Sequence, residues 1–568
     1  MIRSRFARDS GVMAVGTTLS RLTGLLRLVA LVYAVHFRTL ADAYNLANTM
    51  PNVVHDVVLG GIVSATFVPV FVAELSRSSE RAAWEAISAV TSVSLVVIAV
   101  ASVAFLIASP FIVDAMTAFN HAKQASAERS VATDLLVLFV PQLACYGCIS
   151  VGTALLNARR RFAAPMFVPI VNNVVLVCAL VAFGLWVRQP SLGGVYHHRG
   201  QLLLLGLGTT AGVVAQLLAL VPSLRRAGLE LRWRPRLGHP AVRTILRLSG
   251  WTVGLVVANQ VALVVVLALS VRVGPGAVTA YTYAYTFFQV PYGVVAVSIM
   301  SAAAPDLAHF WTNGDMQRFR RRMDVGLRSM LAVIVPAAAG MVVLARPLLE
   351  LLGVMIGHPG STNTTAVALA MLSLGLPGFC AFLYVVRVLQ STQDLRSAFW
   401  LYMVENGVNV VLALALFRPL GVRGIMLSIS IAYTLAAIAG LVHVRRRLGG
   451  LDPGRVGEPL LRVLACTVVL VAGAVLGSSV TGSQSAPALV ARLALGVVGG
   501  TLGFVAAAWL LALIRRPHAP APRRRRGGGG SPPPPLPPAG RPPARPGRLG
   551  PTKPPAGHPG GDRGRLGR

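Results

Sequence analysis

The sequence predicts an all-α polytopic membrane protein of about fourteen transmembrane helices, and two observations lead to this fold class. The 568-residue chain is 55% hydrophobic and only 12% charged, with a mean hydropathy of +0.67. Soluble domains carry charge on about a quarter of their residues, so this deficit indicates that most of the chain contacts lipid. The apolar residues also form runs of about twenty or more, which is the length that crosses the hydrocarbon core of a bilayer.

These apolar runs define the predicted order of the transmembrane helices. Several of them contain proline or glycine, which a membrane helix tolerates where neighbouring helices or a watery cavity satisfy the freed backbone groups. The runs lie near 11–35, 41–74, 84–109, 131–157, 163–187, 201–222, 242–272, 278–305, 325–348, 364–391, 397–417, 423–444, 459–480 and 488–513.

A faint internal repeat predicts how the helices are grouped. Residues 155–175 resemble residues 388–411, which places Asn173 opposite Asn406. Because the two copies share one orientation, we expect two pseudo-symmetric six-helix lobes related by an axis along the membrane normal, with two extra C-terminal helices. The predicted organisation is a basic cytoplasmic N-terminus (1–10), an N-lobe (11–222), a basic cytoplasmic linker (223–241), a C-lobe (242–444), the two extra helices (459–513) and a disordered tail (515–568).

The charge of the chain is strongly positive, with 52 Lys and Arg against 19 Asp and Glu. The basic residues cluster between apolar runs and in the tail, which favours membrane lipids over nucleic acid as partners. They concentrate in alternate connections, so both termini are predicted to be cytoplasmic. The Pro-, Arg- and Gly-rich tail cannot build a core. We expect it to lie near anionic lipid, or alternatively to bind cell-wall synthesis proteins through Pro-rich recognition.

The sequence contains no enzyme signature. It has no phosphate-binding Walker A loop, no H-E-x-x-H zinc motif and no paired carboxylates at a membrane edge. Cys145 and Cys148 form a C-x-x-C, but no second pair or His pair accompanies it, so buried core cysteines are the favoured interpretation over a metal or redox site. The prediction is therefore a non-enzymatic protein without metal or cofactor, whose transport does not depend on its own ATP hydrolysis.

Ionisable residues within the apolar runs are the main candidates for function. Arg21 and Arg27 lie in the first run, and Asp42, His55 and Asp56 lie in the second. Such residues cost about 2.5–3.5 kcal/mol each to insert at the centre of a membrane helix, so they usually serve a function. A guanidinium group suits phosphate oxygens, so two arginines lining a cavity predict a pyrophosphate site. The alternative is that each arginine pairs with a carboxylate such as Asp42 or Asp56.

A second candidate site lies in the eleventh run. Glu405 and Asn409 are four residues apart and share one face of a helix. With Asn259 or Gln260 from the seventh run, their oxygen atoms could hold Na⁺ or a proton. The alternative is a polar contact between helices that contributes about 1 kcal/mol.

Several short motifs together identify a family. The most specific is SRLTGLLR at 20–27, in the first run. The others are ADAY at 41–44, Pro51 with Asn52, SATFVP at 64–69, LNAR at 156–159, Asn259 with Gln260, and GVRG at 421–424. On these motifs, which span roughly residues 10–515, the chain resembles the bacterial MurJ (MviN) lipid II flippases of the multidrug/oligosaccharidyl-lipid/polysaccharide (MOP) exporter superfamily.

The resemblance implies a V-shaped, two-lobed transporter that works by alternating access and is driven by an ion gradient or the membrane potential. Its implied substrate is lipid II or a related undecaprenyl-pyrophosphate glycolipid, delivered across the bacterial cytoplasmic membrane for peptidoglycan synthesis. Arg21 and Arg27 fall on the family's substrate-binding arginines, and Asp42 falls on its acidic position in the second helix. Asn52 and His55 complete the predicted substrate-binding set.

The sequence departs from the family pattern at three positions. His55 stands where the family usually has a basic residue after the Pro-Asn pair, Gly60 replaces an acidic residue, and Thr286 replaces an arginine of the eighth helix. His55 could supply charge when protonated, or could simply pack between helices. A less positive cavity leaves room for a related substrate.

Three other functions remain open from the sequence. The first is export of another polyprenyl-linked oligosaccharide, or of drugs, on the same fold, although the arginines of the first run would repel cationic drugs. The second is a non-transporting membrane scaffold that recruits cell-wall enzymes through its tail. The third, a lipid-linked sugar transferase, is disfavoured by the missing enzyme motifs.

Overall fold

A computed structural model of the chain describes the following residues: 2–60, 67, 70–72, 80–117, 125–159, 161, 163–228, 231–355, 357, 362–451, 453–480 and 485–514. Only the backbone is described for 2–15, 17, 18, 60, 80, 125, 248, 453–456 and 512–514. The tail predicted to be disordered (515–568) lies outside this part of the chain, as does most of the SATFVP motif. Across the described ranges all regular structure is helical.

Seventeen helices follow one another along the described part of the chain. Two of them are extended by single π-helical turns, at Asp56–Gly60 after α2 and at Tyr292–Ala296 after α9. The helices are α1 (Ile2–Val35), α2 (Thr39–His55), α3 (Glu80–Thr117), α4 (Ala125–Ala158), α5 (Ala163–Trp186), α6 (Leu192–His197), α7 (Arg199–Arg226), α8 (Pro240–Val273), α9 (Ala277–Pro291), α10 (Val297–Thr312), α11 (Met316–Met355), α12 (Asn363–Leu374), α13 (Leu376–Ser391), α14 (Leu395–Leu420), α15 (Val422–Leu448), α16 (Pro453–Ser478) and α17 (Ala486–Ile514).

The length and composition of these helices are those of a multi-span membrane protein. Among the described residues, eleven helical segments are long and apolar enough to cross a bilayer, and α12 with α13 forms a twelfth if the bent pair is one span. With α1 and α2 added, the arrangement is compatible with the predicted number of about fourteen. The prediction of an all-helical, polytopic fold is therefore confirmed.

The tenth predicted span differs from expectation because it is broken. Its two halves, α12 and α13, meet at Gly375 with an angle of 47°. Pro377 follows in the first turn of α13, where it cannot donate a backbone hydrogen bond to the preceding helix. A Cβ atom at Gly375 would lie 2.5 Å from the Cα atom of Ser430 on α15, so only glycine allows this close approach.

The helices pack into two groups, and a C-terminal pair joins the second. In the first group α1 packs on α5, α5 and α4 on α7, and α4 also on α2 and α3. In the second, α14 packs on α8 and α15, α15 on α12 and α13, and α11 on α10 and α12. The helices α16 and α17 pack on each other and on α11. The two groups meet where α3 contacts α8 and where α1 and α2 contact α9.

Candidate functional site

The two arginines predicted to bind phosphate both lie on α1, near the contact between the two helix groups. Arg21 is exposed and lies against the π-helical turn that follows α9. A Cβ atom added at Gly293 would be 3.2 Å from Nε and 3.3 Å from Cζ of Arg21. Arg27 is half-buried and interacts electrostatically with the hydroxyl groups of Tyr44 and Tyr146. The two positive charges are six residues apart on α1, which separates them by about 120° around the helix axis.

Neither arginine has an ion pair among the described side chains, and the two carboxylates considered as partners bind elsewhere. Asp42 hydrogen-bonds to residues at the start of α9, and Asp56 to His55 and Gln260. The positive charge of Arg21 and Arg27 is therefore not neutralised within this part of the protein. This arrangement leaves the guanidinium groups available to an anion.

The carboxylate of Asp42 caps the N-terminus of α9. It accepts hydrogen bonds from the backbone N–H of Gly276, from the backbone N–H of Thr279 at 2.8 Å and from Oγ1 of Thr279 at 2.6 Å. Gly276 has φ of +85°, a left-handed conformation that favours glycine. Negative charge is stabilising at a helix N-terminus. Because Asp42 is 3% exposed and its oxygens are occupied, its position favours a structural link between α2 and α9 over contact with a substrate.

His55 belongs to a hydrogen-bond chain that connects α2, α4 and α8. Its Nε2 lies 2.9 Å from Oγ of Ser150, and its Nδ1 lies 3.2 Å from Oδ1 of Asp56. Nε2 of Gln260 donates to Oδ2 of Asp56 at 3.1 Å. One turn before His55, the exposed side chain of Asn52 donates to the carbonyl of Asn48 at 3.0 Å. The chain of contacts fixes the imidazole ring and explains why Gln260 faces the first helix group.

The predicted ion site is only partly assembled. Oδ1 of Asn409, one turn after Glu405 on α14, accepts a hydrogen bond from Oγ of Ser428 on α15 at 3.1 Å. Glu405 is 1% exposed, and its Oε2 has no hydrogen-bond partner among the described atoms. Gln260 bonds to Asp56 instead, and Asn259 is half-buried on the same helix.

Tyrosine side chains surround Glu405. All of them interact electrostatically with its carboxylate, and two of them stack on each other with ring centroids 5.7 Å apart. The four are Tyr281, Tyr285, Tyr402 and Tyr433. Glu405 is therefore buried within the second helix group, with tyrosine side chains in its vicinity.

Sequence reasoning missed Arg387 on α13. This arginine is exposed and lies near the end of the predicted run 364–391. The rule that singled out Arg21 and Arg27, an ionisable residue inside an apolar run, applies equally to Arg387 and would have found it. Thr286, which stands at the family's arginine position, donates its hydroxyl to the carbonyl of Thr282 at 2.8 Å and brings no charge.

An apolar groove runs between α11 and the C-terminal pair of helices. It has a volume of about 550 Å³. Its lining includes Pro336, Gly340 and Leu344 from α11, with Ala474 from α16 and Gly496 from α17. Such a lining contacts hydrocarbon without leaving polar groups unsatisfied, so the groove suits a lipid chain.

The membrane-length helices, the two α1 arginines that have no ion pair among the described side chains, and the apolar groove are together the features of a multi-span membrane transporter. A sequence model of the family described as "Lipid II flippase MurJ" matches residues 32–494. The chain therefore belongs to the lipid II flippase MurJ family, and the resemblance found in the sequence is confirmed.

Relatives in other bacteria agree with this assignment. The chain is 28% identical over 418 residues to the "Probable lipid II flippase MurJ" of Rhizobium meliloti (strain 1021), covering 72% of this chain and 75% of that protein. It is 25% identical over 441 residues to the "Lipid II flippase MurJ" of Burkholderia cenocepacia, covering 76% and 82%.

Solved structures show the same fold at low identity. A structure titled "Lipid II flippase MurJ, inward closed conformation" matches with a TM-score of 0.71 and 19% identity, covering 89% of this chain and 99% of that one. An inward-facing multidrug resistance MATE family transporter of the MOP superfamily matches with a TM-score of 0.58 and 14% identity, covering 77% and 98%. These likenesses show that the chain shares the fold of both transporters.

Proposed function

We propose that this chain is a lipid II flippase, which moves the undecaprenyl-pyrophosphate-linked peptidoglycan precursor from the inner to the outer leaflet of the bacterial cytoplasmic membrane. The observation that carries the proposal is the pair of arginines on α1 without an ion pair in the described structure. Membership of the MurJ family and the names of its relatives support the identity of the substrate. The positive-inside distribution of Lys and Arg supports cytoplasmic termini.

In this proposal, the charged pyrophosphate and the prenyl chain of the substrate bind at separate places. Arg21 and Arg27 bind the pyrophosphate through charge-assisted hydrogen bonds. The apolar groove beside α16 and α17 holds part of the prenyl chain, so the lipid never has to leave an apolar environment. Alternating access follows if the two helix groups separate first at one membrane face and then at the other, around this site.

The driving force is proposed to act on the second helix group. Glu405 is enclosed, and one of its oxygens has no hydrogen-bond partner among the described atoms. A buried carboxylate of this kind can bind a proton or, with Asn409 and Ser428 nearby, a Na⁺ ion. Gradient-driven binding and release at Glu405 would then bias the equilibrium between the two access states.

Complementation of a lipid II flippase depletion strain tests the proposal. Wild type, Arg21→Ala and Arg27→Ala are compared at matched membrane expression, with Arg445→Ala, an exposed arginine near the end of α15, as the control. We expect wild type and Arg445→Ala to restore growth, and the two α1 variants to fail. Failure of a correctly inserted wild type would contradict lipid II as the substrate.

A related substrate is the second candidate, and two residues favour it. His55 and Thr286 replace basic family residues, so the cavity has fewer fixed positive charges. An exporter of another polyprenyl-linked oligosaccharide should move that lipid between the leaflets of reconstituted vesicles, and it should leave lipid II in its original leaflet. Deletion of residues 515–568 separates both transport functions from the scaffold alternative, since a transporter should keep its activity without the tail and a scaffold should not.

A further inference from the structure

The connection between the two helix groups is held in place on α3. This strap (231–239) lies between α7 and α8 and has no helical structure. Oγ of Ser88 accepts a hydrogen bond from the backbone N–H of Arg232 at 3.1 Å, and Oγ of Ser92 accepts one from the backbone N–H of Arg234 at 2.9 Å. Because the two serines are four residues apart on α3, they share one face of that helix. The strap is therefore bound along this face of α3.

The strap exposes large apolar side chains. Trp233, which lies between the two residues bound to the serines, is 64% exposed, and Leu237 is 70% exposed. Leu231 is exposed as well. Tryptophan is enriched where a membrane protein passes through the headgroup region of the bilayer, because its ring is apolar and its N–H is polar. The position of the strap, directly before a membrane-length helix, suits this environment.

Arginine side chains accompany these apolar residues. Arg234 is paired, since its Nη1 lies 3.0 Å from Oε1 of Glu85 on α3. Four further arginines of the strap and of the first turns of α8 are exposed and have no ion pair among the described side chains. These four are Arg232, Arg236, Arg243 and Arg247. The surface therefore carries a net positive charge that the described part of the protein does not neutralise.

The start of α8 continues the surface of the strap. Val242 and Ile245 are buried in a hydrophobic cluster with residues of α3 and α4, whereas Leu246 is exposed. The part of α8 that is apolar enough to cross a bilayer is Ser249–Val273, so the first turns of α8 precede it. The strap and these turns together form one basic, partly apolar surface (231–247), which we call the basic surface.

We propose that the basic surface binds anionic phospholipids at the membrane face where α3 and α8 begin. The guanidinium groups bind the headgroup phosphates through charge-assisted hydrogen bonds, and Trp233 and the leucines enter the interfacial region. A lipid fits both features, because its charged headgroup and its apolar chains lie side by side at this depth. The proposal does not depend on which substrate the chain transports. Under the orientation proposed above, the lipids belong to the cytoplasmic leaflet.

A bound lipid would contact both helix groups. Arg232 and Arg236 are carried by the strap on α3 of the first group, whereas Arg243 and Arg247 are carried by α8 of the second. The packing of α3 on α8 is one of the places where the groups meet. Anionic phospholipid should therefore stabilise this contact, which goes beyond a non-specific attraction of positive charge to the membrane.

Equilibrium binding of fluorescent phosphatidylglycerol to the purified full-length chain in a non-ionic detergent tests the site. Phosphatidylcholine with the same acyl chains is the zwitterionic reference. The double variant Arg232→Gln, Arg236→Gln should bind phosphatidylglycerol about 25-fold more weakly, since each arginine near an anionic lipid surface is worth about fivefold. The matched control is Arg445→Gln, Arg446→Gln, which removes two exposed arginines from the end of α15 and should stay within about twofold of wild type.

The control and the reference lipid decide the outcome. An equal loss of affinity in the two double variants would show that total charge attracts the lipid, and it would overturn the site. Equal binding of phosphatidylglycerol and phosphatidylcholine by wild type would overturn it too. Trp233→Ala should weaken binding of both lipids by about threefold, because it removes an apolar contact and leaves the charge unchanged. Unchanged binding in Trp233→Ala would contradict the apolar part of the site.

A single variant keeps the test decisive if the double variant does not fold. The side chain of Arg236 has no hydrogen bond or ion pair in the described structure, so Arg236→Gln should fold as wild type does, as checked by gel filtration and thermal unfolding. It should bind phosphatidylglycerol about fivefold more weakly, and Arg446→Gln should bind it as wild type does. A well-folded Arg236→Gln with the affinity of wild type would overturn the site.

Discussion

The ionisable side chains of α1 and α14 differ in their exposure: those of α1 are accessible, and the one on α14 is buried. On α1, Arg21 is exposed, Arg27 is half-buried, and the described structure gives neither an ion pair. On α14, Glu405 is 1% exposed. An accessible charge can meet a large anionic substrate in every transport cycle. An enclosed carboxylate is reached only by a proton or a small cation, which fits the proposal that substrate and driving ion act on different helix groups.

The largest expected effect comes from removing both charges on α1. The double variant Arg21→Ala, Arg27→Ala should lower the rate of lipid II transport in proteoliposomes by about a hundredfold, because each lost guanidinium–phosphate contact is worth about tenfold. Its thermal stability should match that of wild type, since neither side chain has an ion pair among the described residues. Transport above a tenth of the wild-type rate would show that these charges are not the main substrate contacts.

The second-largest expected effect concerns the contact of Asp42 with the start of α9, which joins the two helix groups. Asp42→Ala should lower the free energy of unfolding by about 2–3 kcal/mol, because it leaves buried N–H and hydroxyl donors of Gly276 and Thr279 without an acceptor. Thermal unfolding measures this loss, and Asp42→Asn, which keeps one acceptor oxygen, should recover part of it. An Asp42→Ala variant with unchanged stability but defective lipid II binding would place Asp42 in the substrate site after all.

A third variant tests the enclosed carboxylate. Glu405→Gln should remove the dependence of transport on the imposed H⁺ or Na⁺ gradient and slow gradient-driven transport by about tenfold. Lipid II binding should remain within about twofold of wild type, because Glu405 is only 1% exposed and a large substrate cannot reach it. Retained gradient dependence would remove Glu405 from the coupling mechanism.

Asp394, which lies apart from Arg21, Arg27 and Glu405, should contribute to the free energy of unfolding in a pH-dependent way. It caps α14 by accepting from the backbone N–H of Ser397 at 3.1 Å, and it pairs with Arg447. Partial burial raises the pKa of Asp394, but the hydrogen bonds from Ser397 and the charges of Arg447 and His443 outweigh burial and hold the pKa below its ordinary value.

Because the folded-state pKa is the lower one, the stability from Asp394 is present above the unfolded-state pKa of about 3.9 and is lost as the pH falls through the folded-state value. Asp394→Ala should cost about 1 kcal/mol at pH 7. The difference from wild type should disappear below the folded-state pKa, as measured by thermal unfolding over a pH series. A difference that stays constant with pH would contradict an ionised cap.

The smallest effect tests the contact between α1 and the π-helical turn. Gly293→Ala places a Cβ atom 3.2 Å from Nε of Arg21, so the guanidinium group must shift by a few tenths of an ångström. Lipid II affinity should fall by about threefold. Gly250→Ala, where an added Cβ meets nothing within 4 Å, is the control. Equal affinities of the two variants would indicate that the position of Arg21 is not critical.

Hydropathy alone predicted most of the fold, because each span must be apolar over a fixed length. The break between α12 and α13 could also have been inferred from Gly375 and Pro377. The π-helical turns could not, since Pro51 and Pro291 resemble prolines in helices that continue undisturbed. The short helix α6 lies in a connection where the apolar pattern gives no signal.

The candidate site was predicted less completely because it depends on which helices face each other. Arg21 and Arg27 stand out in sequence, but the contact between Arg21 and Gly293 joins residues far apart in the chain. Asn259 and Gln260 were grouped with Glu405, yet neighbouring residues on a helix point about 100° apart. Gln260 therefore bonds to Asp56 in the first group. The faces of α8 could not be assigned from sequence alone.

The tight contact between α16 and α17 has a mechanical consequence. A Cβ atom at Gly499 would lie 2.6 Å from the carbonyl oxygen of Gly473, so the two backbones touch without an intervening layer of side chains. The two helices of this hairpin therefore resist separation from each other and act as one unit. Widening of the apolar groove then requires a displacement of α11 relative to the whole hairpin, because the groove cannot open between α16 and α17.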